Sequence, residues 1–508
     1  MSPRQSIHAL IDERLAAEQG TIFKVAPLRV ALVYPSPYRI GMSSLGFQTI
    51  YRELNGRPDT VCERAFLPDD VEAWRRSRSP LLTYESRRPV ADFDVVAFSL
   101  AYELELTGVF ECLELSGIPI LAEDRGPRTP LVVIGGPLTF SNPVPAAPFA
   151  DVILMGEAEE AIHVLLDAVL EGDVKSRLPA MADLEGFYVP EVHGDALRPV
   201  AKASAHKLPA YSQILTPHTE LSNMHLVESE RGCSRKCTFC VMRRSTNGGM
   251  RLADVDTIMA TVPEAARKVG LVGAAVSDHP ALIDIVRAIV DSGREIGLSS
   301  LRADRLTPEL MELLKRGGYR TVTVASDGAS DRLRTMMMKH IGERHLRRAA
   351  ELVRDSGIGQ LKVYMMIGVP NETDEDLDEL VRFSLELAKI TPVAMGIAPF
   401  VAKRNTPLDR QPFAGIKEVE RTLKRLRLGL GRHVDLRSTS ARWAWVEYVL
   451  AQGDRRTGLA TLEAWRNGAG FGAWKRAFGG LEPAPHTFSP PPMVPTNRAE
   501  RLAAERLA

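Results

Sequence analysis

Three of the chain's five cysteines stand within eight residues, in the stretch RGCSRKCTFC that runs from Arg231 to Cys240. The spacing C-x3-C-x2-C groups Cys233, Cys237 and Cys240 into one thiol set with no fourth member beside it. Structural zinc needs four ligands in a closed tetrahedron, and the nearest histidines, His225 and His279, are not at zinc-finger spacing. A disulfide would leave one thiol over. Iron–sulfur clusters are held by cysteine thiolates, and a four-iron cubane on three protein thiolates keeps one iron open to a substrate or cofactor. The flanking Arg235, Lys236, Arg243 and Arg244 favour thiolates and would offset a cluster's negative charge. Zinc and plain thiols stay open as alternatives at this level.

The triplet directly follows the apolar run HLVES at 225–229, so it belongs to a loop leaving a strand. Further strand patterns lie at 271–277, 296–301, 321–326, 361–370 and 394–400, with helical patterns such as LTPELMELLKRGG between them. Six strand–helix units over 226–440 predict a partial (β/α)6 barrel of the TIM type, whose active face is the one bearing the loops after the strands. Upstream, short apolar runs at 28–34, 93–100, 131–136 and 150–157 alternate with helical patterns. That alternation predicts an α/β domain over 27–175 with a Rossmann-like, doubly wound parallel sheet. Such sheets bind ligands outside the carboxyl ends of their strands, where Gly135-Gly136 and Gly156-Glu157 fall. Residues 1–26 read as an amphipathic lead-in helix and 176–225 as a connector. Residues 441–480 read as a Trp-rich helical segment, and 481–508 as a mobile Pro-rich tail.

The totals bound the function. Of 508 residues 45% are hydrophobic, enough for two or three cored domains. Lys plus Arg equals Asp plus Glu at 64 each, which argues against a broad nucleic-acid surface. The first twenty residues lack the apolar core of a secretory signal. No run approaches the ~18 apolar residues of a membrane span. Clustered cysteines do not resemble a secreted disulfide framework, so a reducing, cytoplasmic setting is expected.

RGCSRKCTFC resembles the cluster loop of the radical S-adenosylmethionine (radical SAM) superfamily, C-x3-C-x-aromatic-C, with Phe239 as the aromatic. The resemblance implies a 4Fe-4S cluster on Cys233, Cys237 and Cys240. It also implies S-adenosyl-L-methionine on the open iron, cleavage to a 5′-deoxyadenosyl radical, and a reducing partner such as flavodoxin or ferredoxin. Carried residue by residue, it makes Phe239, Ser299, Arg302, Asp327 and Gly368 candidate S-adenosylmethionine contacts. Arg302 would grip the carboxylate, and Gly368, in MIGVPNET, would let backbone approach adenine. Asp327 stands where relatives carry the Glu of Ala-Pro-Glu, and Ser277-Asp278 where they carry Gly-Gly-Glu. Met336, Met337 and Met338 read as core filler.

The order of a doubly wound domain before this loop, with Ser99-Leu100, Gly135-Gly136 and Gly156-Glu157 at strand ends, resembles the cobalamin-binding domain of cobalamin-dependent radical SAM enzymes. There the glycines let the chain approach the corrin and its nucleotide tail. The segment YPSPYRIGMSSLGFQTIYRELN resembles the start of a subgroup of such proteins whose substrates are not characterised. One departure stands out. The family's Asp-x-His-x-x-Gly after the first strand is missing, since residues 34–46 contain no histidine. A corrin here would have no histidine from this loop beneath its cobalt, as in several radical SAM methylases.

The resemblance therefore implies a radical SAM enzyme that methylates an unactivated carbon of a small-molecule or peptide substrate with cobalamin. The alternatives are radical chemistry without cobalamin, such as a rearrangement, and a non-enzymatic cluster-bearing sensor or scaffold. Methylthiolation is disfavoured. That group carries three further cysteines upstream, whereas here only Cys62 and Cys112 lie there. Trp443, Trp445 and Tyr448 are expected to pack rather than cap the barrel, and His279 reads as a loop histidine near the active face.

Overall fold

The computed structural model describes residues 3–242 and 249–481. Arg243 and Arg244 of the cluster loop, and all but the first residue of the expected Pro-rich tail, lie outside the described residues.

The first sheet has strands β1 (Leu28–Tyr34), β2 (Thr60–Phe66), β3 (Val95–Ser99), β4 (Leu131–Gly135), β5 (Val152–Leu154) and β6 (Phe187–Tyr188). Its order is β2-β1-β3-β4-β5-β6, parallel throughout except for the antiparallel pairing of β6 on β5. The order of the first five strands is that of flavodoxin-like doubly wound folds, with the switch point between β1 and β3. The apolar runs become strands because residues on both faces are buried, as in β1, where six of seven side chains are buried. β2, absent from the sequence reading, is also buried throughout. Its apolar run is broken by Glu63 and Arg64, and Arg64 is accommodated by carboxylates on both sides. Its Nη atoms donate to Glu18 at 2.9 and 2.8 Å, and its Nε donates to Glu85 at 2.7 Å.

The second unit contains β7 (Met224–Glu228), the hairpin β8 (Glu230–Gly232) and β9 (Met250–Leu252), and strands β10 (Lys268–Val272), β11 (Glu295–Leu298), β12 (Thr321–Asp327), β13 (Gln360–Ile367), β14 (Val393–Pro399) and β15 (Val434–Ser438). β11-β10-β7 and β12-β13-β14-β15 are parallel sheets. A bridge between Leu301 and Val324 joins them into one curved row. Among the described residues no pairing joins β7 to β15, so the row is an open, partial barrel. The seventh strand, β15, extends the six expected. It is an edge strand with exposed Asp435 and Arg437, so it lacks the apolar run of its neighbours.

The connector carries β6 and is stitched to both units by bridges Gly156 to Ala201 and Tyr211 to Val227. Helices Ala441–Gln452, Arg455–Arg466 and Phe471–Ala477 form the C-terminal segment. They pack against the first unit: Trp465 donates to Glu111 at 3.0 Å, and a Cβ on Gly458 would stand 1.9 Å from the Pro145 carbonyl. Trp445 is buried against Phe471 and Phe478, and Tyr448 against Phe413, in keeping with a packing role. No helix among the described residues is long and apolar enough to cross a membrane.

Candidate active site

The loop after β7 and β8 carries the three thiols at the carboxyl end of the barrel strands. Its backbone is tied down on two sides. Thr238 donates its N–H to Met337 O at 3.1 Å, and its own carbonyl accepts from Leu408 N at 3.1 Å. Met337 is fully buried, and the Met338 carbonyl lies 3.9 Å from Cys237 Sγ. Met337 thus fills core as expected, with Met336 partly buried against it, while Met338 does not join the core; Met337 and Met338 also offer two carbonyls to the loop, a backbone role that side-chain type does not signal. Asp278 receives a two-pronged contact from Arg235 at 2.8 and 2.5 Å and a further one from Arg305 at 3.2 Å. The residue in place of a Gly-Gly-Glu motif therefore anchors the cluster loop from the β10 side.

All three thiols are partly buried. The Cys233 sulfur accepts the Arg235 N–H at 3.4 Å. Burial pushes the Cys240 thiol up to about 11, with the Met242 N–H opposing and the Cys237 and Cys233 thiols adding to it. Burial raises Cys237 as well, against the nearby Lys339 ammonium. Among the described residues no three His, Cys, Asp or Glu side chains stand as a closed metal site. The donor set nevertheless suits a thiolate-held cluster. Three thiols share one loop, an N–H points at sulfur, and Lys339 and Arg302 lie within electrostatic reach of Cys237.

The expected S-adenosylmethionine contacts are placed as follows. Phe239 packs against the core, and Ser299 is exposed at the end of β11. Arg302 points its guanidinium at Asp304, at 3.0 and 3.1 Å, with the Lys339 carbonyl 3.5 Å away. Its engagement with Asp304 departs from a guanidinium held free for a ligand. Asp327, with φ of 63°, pairs with Lys339 at 2.5 Å, so it faces a lysine that the sequence reading did not single out. Gly368 has φ of 70°, and a Cβ there would fall 2.9 Å from that of Ala414. Its glycine requirement thus comes from the chain itself. His279 uses both ring nitrogens, toward Ala253 O at 3.1 Å and from Ala281 N at 3.1 Å, as a buried loop-fixing residue.

A cavity of about 480 Å³ opens at the carboxyl ends of β1, β3, β4 and β5 and runs to the cluster loop. On the sheet side it is lined by Leu32, Ala97, Ser99, Val133, Gly135 and Leu154. On the barrel side Glu228, Glu230, Gly232, Val272 and Gly273 line it, together with Val241 and Met242 just past Cys240. It lies where doubly wound sheets bind ligands. Gly135 has room in front of it: a Cβ there would meet nothing closer than Leu154 O at 3.8 Å. Gly136 differs. Its φ is 101°, and a Cβ would fall 2.8 Å from Leu100 N and O, so this glycine locks the ends of β3 and β4 together. The sheet-side wall is apolar with open glycine backbone, and the barrel-side wall carries charged side chains, a lining suited to a ligand with an apolar face and polar substituents, as a corrin has. The loop 34–46 contributes Leu45 and Gly46 and no histidine.

Two of the expected corrin contacts take other roles. Leu100 is fully buried, with its N–H on Gly135 O at 2.8 Å and its carbonyl accepting from Leu138, so it supports the wall without forming it. Glu157 lines the cavity, but its carboxylate is already engaged by Arg231, Arg251 and the Ala203 N–H. Glu230 was missed in the sequence. It lines the cavity, its Oε1 accepts the Ala275 N–H at 2.7 Å, and its Oε2 is buried without a partner. Burial pushes it up to about 8, the Ala275 N–H opposing and Glu228 and Asp278 adding. A carboxylate inside the strand-like run HLVESERG was the available signal.

Comparison with known proteins agrees with this geometry. Residues 46–190 match the family described as radical SAM proteins, N-terminal, and residues 227–384 match the radical SAM superfamily. An uncharacterized protein of Methanocaldococcus jannaschii is 28% identical over 411 residues, spanning 78% of this chain and 83% of that protein. The ribosomal protein uS12 methylthiotransferase RimO of Desulforudis audaxviator is 26% identical over 238 residues, 44% of this chain and 52% of it. Among solved structures, the cobalamin-dependent S-adenosylmethionine radical enzyme OxsB with aqua-cobalamin bound superposes with a TM-score of 0.52 at 15% identity, over 72% of this chain and 53% of that one. The chain thus spans about half the length of the latter two proteins, and the last likeness speaks to fold alone. With the thiol loop and the sheet before it both matched, the chain belongs to the radical SAM superfamily.

Proposed function

We propose that this radical SAM enzyme uses cobalamin to methylate an unactivated carbon. The observation that carries the reading is the single cavity joining the carboxyl ends of the N-terminal sheet to the thiol loop. A cluster on Cys233, Cys237 and Cys240 would supply the electron that cleaves S-adenosylmethionine to a 5′-deoxyadenosyl radical, and cobalamin would supply the methyl group. The chain's own residues bind, orient and exclude water. Ser99, Gly135 and Gly136 would form one wall of the corrin site, and Leu45 and Gly46 would edge it. Asp278 and Asp327 place Arg235 and Lys339 around the thiols. Ser299 and Arg302 remain the candidate contacts to S-adenosylmethionine from β11, beside Phe239 and Gly368.

Methylthiolation, the activity named for one relative, finds less support. Cys62 on β2 and Cys112 in the helix Leu106–Ser116 are both fully buried in separate elements of the first unit. Anaerobic reconstitution with iron, sulfide and hydroxocobalamin tests the proposal. It expects retained corrin absorbance, 5′-deoxyadenosine on reduction, and label from methyl-labelled S-adenosylmethionine in a product. An intact cluster that forms 5′-deoxyadenosine and retains no corrin would leave radical chemistry without cobalamin. A chain whose biological role survives Cys237→Ala would point to a scaffold.

A further inference from the structure

Arg231 lies two residues before Cys233, and its guanidinium contacts three carboxylates. Nε and Nη2 fork onto Glu228 at the end of β7, each at 2.8 Å. Nη1 reaches Glu159 at 2.7 Å and Glu157 at 3.3 Å, both in the turn after β5. Glu157 accepts the Ala203 N–H at 2.8 Å and pairs with Arg251 on β9, whose Nη1 donates to Ala203 O at 2.6 Å. The side chains of Glu157 and Glu159 are only 6% and 7% exposed. Gly156, with φ of 89°, precedes them, and a Cβ there would fall 2.6 Å from Ala201 O. A glycine-specified turn therefore aims two acids of the N-terminal sheet at the root of the cluster loop.

Four of these five charged side chains, all but Arg251, belong to residues lining the cavity. A guanidinium offers donors in a rigid fork, so it fixes the relative position of its partners as a flexible ammonium does not. The carboxylates are buried, so losing the arginine would leave them uncompensated. We propose that Arg231 is a positioning residue, which sets the cluster loop against the cavity through Glu157 and Glu159. This deepens the radical SAM reading of the loop and rests on it.

The test uses the reconstituted full chain as wild type, Glu157→Gln, Arg231→Gln, Arg231→Lys and the double variant E157Q/R231Q. The readouts are the electron paramagnetic resonance spectrum of the reduced cluster with and without S-adenosylmethionine, its reduction potential, KM and kcat for 5′-deoxyadenosine formation, and melting temperature. Positioning expects Glu157→Gln and Arg231→Gln to broaden the spectrum alike and to raise KM on the order of tenfold. The double variant should be no worse than Arg231→Gln, since the two act as one unit, and Arg231→Lys should recover part of the loss. Opposite shifts in potential with unchanged KM would mean that only charge is felt, and would overturn the proposal. Lower melting temperatures with wild-type spectra and KM would overturn it too. A wild-type cluster that cleaves no S-adenosylmethionine would sink the radical SAM reading instead, while the spectra of the cluster alone would still decide the role of Arg231.

Discussion

On the barrel side, Cys233, Cys237 and Cys240 come from a single loop, which reaches the cavity through its neighbours Gly232, Val241 and Met242. On the side of the N-terminal sheet, Ser99, Gly135 and Gly156 come from the ends of three strands. The first set shares a chemistry, thiol ligation, that its residue type announces. The second shares only a lack of bulk, which becomes meaningful once β3, β4 and β5 lie side by side. Contiguous donors make a reaction class readable from a string, whereas a cradle made of absent side chains needs its neighbours to be seen.

Removing one donor should do most to the barrel side. Cys237→Ala should abolish 5′-deoxyadenosine formation to background and lower bound iron, while circular dichroism stays native. Retained turnover would break the contrast, because the loop would then not hold the reacting centre. Next in size is Arg64→Leu on β2. It strips the counter-charge from Glu18 and Glu85 and should cost about 3–5 kcal/mol, measured by denaturant melts of the full chain. If the cluster's absorbance is lost in the same transition, the two sides melt as one unit; separate transitions would mean that the sheet and the barrel stand alone.

Gly135→Leu tests the cradle itself. Its Cβ has ordinary clearance, so the fold should tolerate it, but the longer side chain would enter the cavity. Hydroxocobalamin binding should weaken about tenfold to a hundredfold, the penalty of roughly 1–3 kcal/mol for overpacking, with 5′-deoxyadenosine formation retained. Unchanged corrin titration would place any cobalamin elsewhere. The smallest effect concerns Glu230. Its folded value, about 8, stands above the ordinary carboxylate value, so folding takes up a proton between roughly pH 4.3 and 8. Stability should therefore fall as pH rises through that window and level off above it. Glu230→Gln should flatten this slope and raise the melting temperature at pH 8 by a few degrees, with little gain at pH 5. An equal gain at both pH values would show that ionisation of Glu230 is not responsible.

Much of the architecture was legible. Parallel strands buried on both faces are apolar throughout, so β1, β3 and β4 stand out as short runs between helical patterns, while β12 and β13 are legible from buried residues alternating with more exposed ones. β2 was hidden because Arg64 and Glu63 read as surface residues until Glu18 and Glu85 arrive from elsewhere in the chain. β15 was hidden because an edge strand with one exposed face needs no continuous apolar run. β10 ends at Val272, earlier than the run 271–277 suggested, since Gly273 to Ser277 turn away to make room for Glu230 and to place Asp278 on Arg235.

By itself the sequence determined the donor set: three thiols at cluster spacing, the basic residues beside them, and the glycines whose backbone needs no side chain, because these are properties of residue type and local spacing. The tertiary structure alone decided the partnerships. It gave Glu157 to Arg231 and Arg251, Asp327 to Lys339, and an unpartnered oxygen to Glu230. Charges carried by separate elements choose one another only after burial has removed water as the competing partner.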